Sequence, residues 1–309
     1  MSDSGEPARE RATIDPGYWE TVLAGRCAVP ADRPLDDMTV ELVALIGEPD
    51  PHLRDELALR ILTTWIGSGV YDDLLSALGD GVCEGLRPGL GEEGTLSVLR
   101  RSFSARVLAA VVDRESARRS LHPGAVLEWG DRGLSWLVAE RDLRGHIPGA
   151  GRAHAMRHGA DLLRALATSR HLDEGGLMVL LDTLADRLLR PTTYVFVSRE
   201  EDRLAYATMA LLHRNLVDLT LLGPWVERLS SGWADATADA AIGVPVPAQS
   251  LNTMSFARAL HLQLLLGVRA PDSVPPHLFG GRPALRVDLL GALQGALRST
   301  DPHYERATP

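Results

Sequence analysis

The strongest constraint in this chain is the recurrence of apolar residues at helical spacing along nearly its whole length, cut at short intervals by helix-end signals. The pattern predicts a first helix over Pro16 to Ala24 and a second after Pro34, carrying Met38, Leu42, Val43 and Ile46. Asp50 followed by Pro51 is a helix start, a capping side chain ahead of a proline whose N–H would have no partner there anyway. That helix carries Leu57, Ile61 and Trp65 and stops at Gly67 and Gly69, where glycine can take a left-handed closing conformation. Further helices are expected near Asp72 to Gly85, Thr95 to Arg119, Pro123 to Glu140, Arg152 to Ser169 and Asp173 to Arg190. Ser198 with Glu201 three residues on reads as a capping box that opens a helix to Arg214. The last helices fall near Leu216 to Leu229, Ser250 to Leu266 and Ala284 to Arg298. Only Thr192 to Val197 looks strand-like, and Gly232 to Gln249, rich in Ala, Gly and Pro, reads as a long loop or lid.

Roughly a dozen helices with short connections place successive helices antiparallel, in pairs of about 45 residues, the size of a HEAT or armadillo unit. No sequence motif repeats from pair to pair, so the fold class expected is all-α, an irregular HEAT/armadillo-like superhelix of antiparallel helical pairs. The organisation expected is a tail over residues 1–14, one helical domain over 15–300 and a second tail over 301–309. The 5% aromatic content calls for a core of Leu, Val and Ala, which suits close helices better than stacked strands. Trp65, Trp129, Trp136 and Trp225 stand in apolar helical surroundings and are expected in that core. Cys27 and Cys83, far apart and outside any metal or redox spacing, read as buried thiols.

A net charge of −9 argues against a nucleic-acid partner, because phosphate neutralisation needs a basic face. The apolar runs Val107 to Val112 and Leu177 to Leu181 are far short of a membrane span. Met1 to Ile14 is charged and has no apolar stretch, so no signal peptide is expected and the compartment expected is the cytoplasm. All 32 basic residues are Arg, which removes a Schiff-base lysine, a pyridoxal anchor and a P-loop lysine. No Gly-x-Gly-x-x-Gly, Walker, His-Glu-x-x-His or Gly-x-Ser-x-Gly sequence occurs, and no cofactor is expected.

The densest polar cluster is Gly151-Arg-Ala-His-Ala-Met-Arg-His-Gly-Ala-Asp161. On a helix, His154, His158 and Asp161 stand at i, i+4 and i+7, within a stripe roughly 60° wide at the border between core and water. Three chemistries fit: a structural polar network between helices, a general base oriented by Asp161, or a divalent metal on His154 and His158 completed by a carboxylate. Glu200, Glu201, Asp202 and Arg203 form a second cluster, whose acids suit the first turn of a helix and could instead face the histidine stripe. Arg141, Asp142 and Arg144 form a third, read as a solvated loop of local ion pairs that precedes the His-rich helix. In a site, Arg203 or Arg144 would hold an anionic group. His213 ends a helix and is expected to meet its last carbonyls.

Arg141-Asp-Leu-Arg-Gly145, His154-x-x-x-His-Gly-Ala-Asp161 and Glu200-Glu-Asp-Arg-Leu204 together resemble the bacterial family catalogued as domain of unknown function 2785. Pro34-Leu-Asp-Asp37, Gly69-Val-Tyr-Asp-Asp-Leu-Leu75 and Arg101-Ser-Phe-Ser104 are similar to it in the same order, so the resemblance spans about Tyr18 to Tyr304. It implies an all-helical fold of repeat-like pairs and no established activity. It also implies an aromatic residue where this chain has Arg152, and hence an altered entrance to the His-rich helix. The expected function is binding of a small molecule or peptide in a groove lined by the His154/His158/Asp161 helix. An acid–base or metal enzyme of small-molecule metabolism and an interaction scaffold are the alternatives.

Overall fold

Most helices begin or end where a side chain or a left-handed residue takes up orphaned backbone groups. The computed structural model describes residues 15–241, 245–271, 274, 276–298 and 300, and the expected tails lie outside this set. Helix α1 (Pro16–Ala24) opens on Asp15, whose Oδ1 accepts the Gly17 N–H at 3.0 Å. After α2 (Leu35–Leu45), Asp50 accepts the His52 N–H at 2.8 Å and opens a π-wound segment, His52–Leu59. That segment runs directly into α3 (Arg60–Ser68), which Gly69 closes at φ 90°. The next helices are α4 (Leu75–Glu84), α5 (Ser97–Arg118) and α6 (Pro123–Ala139), then α7 (Ala155–Thr168) and α8 (Glu174–Leu189). The last are α9 (Glu200–Leu212), α10 (Leu219–Ala241), α11 (Ala248–Leu266) and α12 (Arg286–Arg298).

These elements stack in two layers. Helices α3, α5, α7, α9 and α11 pack side by side in one, and α4, α6, α8, α10 and α12 in the other. The layers meet through neighbours in sequence such as α4 with α5 and α10 with α11, as expected of an all-α array of repeat-like pairs. The odd helices pack closest. Small buried residues on these helices, among them Ala105 and Ala109 on α5 and Ala160 on α7, leave room for the backbones to approach. Buried apolar residues form one continuous cluster from Trp19 to Leu293 that includes all four tryptophans named above. Cys83 is buried as expected, whereas Cys27 is only half-buried.

Gly79 on α4 shows how tightly that helix packs against α6 within the second layer. A Cβ there would stand 2.3 Å from the Trp129 ring, which is itself fixed by a 2.7 Å hydrogen bond from Nε1 to Asp80. Gly79→Ala is therefore expected to destabilise the protein by about 2 kcal/mol, the overpacking cost exceeding the helix propensity gained. A lower urea midpoint at unchanged m-value would report it.

Four expectations need correction. Helix α7 begins at Ala155, because Gly151–Arg152 pairs antiparallel with His146–Ile147 in a small hairpin. Fully buried Arg54 pins that hairpin, donating to the carbonyls of Ala150 at 2.8 Å and Arg152 at 3.3 Å. Thr192 to Val197 forms no strand. Asn252 of α11 stands in for a partner strand, accepting the Phe196 N–H and donating to the Tyr194 carbonyl, both at 2.8 Å. Residues 232–241, expected in a loop or lid, continue α10, while 242–244 lie outside the described residues. Finally, Ser198 does not cap α9. The N-cap is Arg199 at φ 62°, and the Glu200 carboxylate accepts the Ser198 N–H at 2.7 Å.

Candidate functional site

Helix α7 lies between α5 and α9 and carries the predicted cluster. His154 is not on the helix but at its N-cap, in a left-handed conformation at φ 55°. Its ring meets that of His158 edge-on with centroids 6.1 Å apart, and its Nδ1 is buried with no hydrogen-bond partner. Burial first, then the charges of Arg157 and Arg152, push His154 down to about 4. Desolvation, followed by the charge of Arg106, holds His158 well below the usual imidazole range. The Ser102 hydroxyl donates to the Ala153 carbonyl, so His158 Nδ1 must donate its N–H to Ser102 Oγ at 2.8 Å. That fixes the tautomer and leaves the lone pair on Nε2. Both imidazoles are neutral at pH 7, and Phe103 packs edge-on against His158 at 4.9 Å. Among the described residues, no group of three or more His, Cys, Asp or Glu side chains is placed to hold a metal.

The neutral pair has a consequence for stability. An unfolded imidazole takes up a proton near its ordinary pKa, whereas folded His154 resists protonation down to about 4. Below about pH 6.5 the unfolded state therefore binds more protons, and folding stability falls as pH drops toward 4. A loss of about 2 kcal/mol over that interval is expected. His154→Asn, which keeps a residue tolerant of the left-handed backbone, should make this limb shallower in denaturant melts taken at successive pH values, with His158 supplying the slope that remains.

The third cluster is not a solvated loop. Asp142 is 3% exposed; its carboxylate accepts the Gly94 N–H at 3.0 Å and holds Arg144. Only Arg141 is open, paired with Glu93 at 3.3 Å. Beside them stands Glu140, which was not among the expected site residues; it is fully buried and bound by Arg101 through Nε at 2.6 Å and Nη2 at 2.8 Å. In the second cluster Glu200 is buried, Asp202 pairs with Arg199 at 2.8 Å, and Glu201 Oε2 has no hydrogen-bond partner. Burial raises the Glu201 carboxyl above its ordinary value. His213 does not meet helix carbonyls: its ring packs on Phe279 at 5.1 Å, while Arg214 bonds the Ala167 and Ser169 carbonyls.

Two of the predicted residues do meet. Asp161 on α7 faces Arg203 on α9 at 3.2 Å and Arg106 on α5 at 3.6 Å, so its carboxylate serves two arginines and neither histidine. They line a cavity of about 390 Å³ between α3, α5, α7 and α9. Its other charged walls are Arg114, bound through two N–H groups to Asp72 at 2.7 Å, and the buried pair Arg164–Asp113, joined twice at 2.6 Å. Tyr206 adds an aromatic wall, its hydroxyl donating to the Arg269 carbonyl. Arg106, Asp113, Arg114 and Arg164 were not among the expected site residues. For the three on α5 the signal was the spacing of Arg106, Ala110, Asp113, Arg114 and Ala117 on one helix face, hidden by the apolar run from Val107 to Val112.

Fold and cavity together define an all-α protein of layered helical pairs with an arginine-lined pocket among its closest-packed helices. The sequence profile of the family described as protein of unknown function (DUF2785) matches residues 86–262, and the chain belongs to that family. The match takes in α5 to α10 and most of α11, and so includes Arg106, Asp161, Arg164 and Arg203. No curated protein and no solved structure matches this chain. No helix among the described residues is long and apolar enough to cross a membrane.

Proposed function

We propose that this protein binds a small organic anion in the cavity between α3, α5, α7 and α9, with the ligand's charged group between Arg106 and Arg203. The observation that carries this reading is the charge balance of the cavity wall. Arg164 is joined twice to Asp113, and Arg114 is held through two N–H groups by Asp72, which also pairs with Arg118. Arg106 and Arg203 share Asp161 alone, and its single charge leaves one of the two guanidiniums uncompensated. Neither of these two guanidiniums has another carboxylate or carbonyl partner among the described residues, and Arg203 Nε is buried with no hydrogen bond. An arginine fork with unused N–H groups is suited to a carboxylate or phosphate oxygen. The volume of about 390 Å³ is in the range of small-molecule pockets. The compartment proposed for it is the cytoplasm, a reading supported by the free thiols at Cys27 and Cys83.

Calorimetric titration of the full chain with citrate, glycerol phosphate and pyrophosphate tests the reading. At least one should bind, with an affinity that falls as salt rises. Arg203→Gln should weaken that binding by about tenfold or more. Binding that ignores both salt and Arg203, or no binding by any of the three, would count against it.

A further inference from the structure

A second groove lies between α2, α4 and the start of α5 and shares no lining residue with the basic cavity. Its wall runs along α2 through Asp36, Val40 and Val43, and along α4 from Leu74 at the N-cap through Leu78 and Gly81. Both sets step by three and four residues, so two helix faces look at each other across the gap. The gap measures about 550 Å³ and its wall is mostly apolar. Val40 and Leu74 stay 72% and 40% exposed on it, and a Cβ at Gly81 would meet nothing within 4 Å.

Arg100 stands at one end. Its guanidinium is half-buried, and its one hydrogen bond among the described residues runs to the Val43 carbonyl. No carboxylate pairs with it among the described residues. The single acid of the groove, Asp36, lies seven residues before Val43, roughly 10 Å along the helix. The Arg100 stem is clasped on both sides: a Cβ at Gly47 would stand 3.1 Å from its Cδ, and one at Gly85 would stand 3.0 Å from its Nε. A half-desolvated arginine held in place without a counter-charge, at the head of an apolar channel, is complementary to an anion with an alkyl tail.

We propose that this groove is a second ligand site, which takes the carboxylate of an unbranched aliphatic acid on Arg100 and lays its chain between α2 and α4. The 10 Å from Arg100's end of the groove to Asp36 is roughly the reach of an eight-carbon acid. The Thr39 and Tyr71 hydroxyls, 3.0 Å apart, satisfy one another on the wall and leave the channel apolar between its ends.

Titration of the full chain with octanoate, and with octanamide as its uncharged analogue, is the test. Octanoate is expected to bind at least about tenfold more tightly than octanamide. Arg100→Met should bring octanoate down to the level of octanamide. Gly81→Leu fills the channel at a helical position with open space around it, so it should keep the fold while abolishing binding of both probes. Equal affinity for the two probes, undiminished octanoate binding by Arg100→Met, or no octanoate binding by the wild type would overturn the proposal. So would sedimentation showing a ligand-free dimer that Gly81→Leu dissociates, since the groove would then be filled by a second copy of the chain.

Discussion

Replacing Glu140 by alanine should remove about 3–5 kcal/mol of folding stability, the largest effect expected of any single polar substitution in this protein. The carboxylate is fully buried and accepts five donors: two from Arg101, the Trp136 indole at 2.9 Å and the backbone N–H groups of Arg141 and Asp142 at 3.0 Å. Its removal strands the charge of Arg101, which is also fully buried and is otherwise held by the Pro88 and Gly89 carbonyls and Ser97. The cost of a lone buried charge exceeds the net value of the intact pair. Replacing both partners, Arg101→Met with Glu140→Leu, should therefore recover a good part of the loss. Urea titrations of the three variants give the comparison. A loss below about 1 kcal/mol for Glu140→Ala would mean that water reaches this network.

The second large effect is at Asp113, and it should move stability and binding in opposite directions. Asp113→Asn leaves the Arg164 guanidinium, 7% exposed, without its counter-charge, and a loss of about 2–4 kcal/mol is expected. The same change adds positive charge to the wall of the basic cavity, because Arg164 and Asp113 both line it. A folded Asp113→Asn protein should therefore bind its anion more tightly, by about threefold to tenfold at low salt. Melting curves with and without ligand measure both quantities on one sample. A destabilised variant whose anion affinity also falls would show that the pair shapes the cavity rather than setting its charge.

How far the sequence led depends on how local each feature is. Helix ends were legible wherever one residue decides them: Asp15, Asp50, Asp173 and Gly69 do what their chemistry predicts. Helix α10 was misread because Ala, Gly and Pro are averaged as loop formers. Pro224 sits early in the helix, and Gly232 is required by contact, since a Cβ there would stand 2.5 Å from Leu189 Cδ2. The left-handed backbone at His154 and Arg199 was invisible, being imposed by the hairpin before α7 and by Glu200 reaching back to Ser198.

The candidate site was half legible. Asp161 and Arg203 were named, but in different clusters, and only the packing of α7 against α9 brings them together. The burial of Glu140 and Asp142 had no local mark, because their partners Arg101 and Gly94 come from far along the chain. Arg106 and Asp113 were lost against apolar neighbours, although charged residues punctuating a buried helix face are what a polar cavity in a helical array requires.

Anomalous scattering from a crystal grown or soaked with selenate locates a bound anion without ambiguity of element. A selenium peak is expected in the cavity between the Arg106 and Arg203 guanidiniums, lost in crystals of Arg203→Gln soaked in the same way. A well-occupied peak elsewhere on the protein with this cavity empty, or a cavity peak that survives Arg203→Gln, would contradict the proposed site.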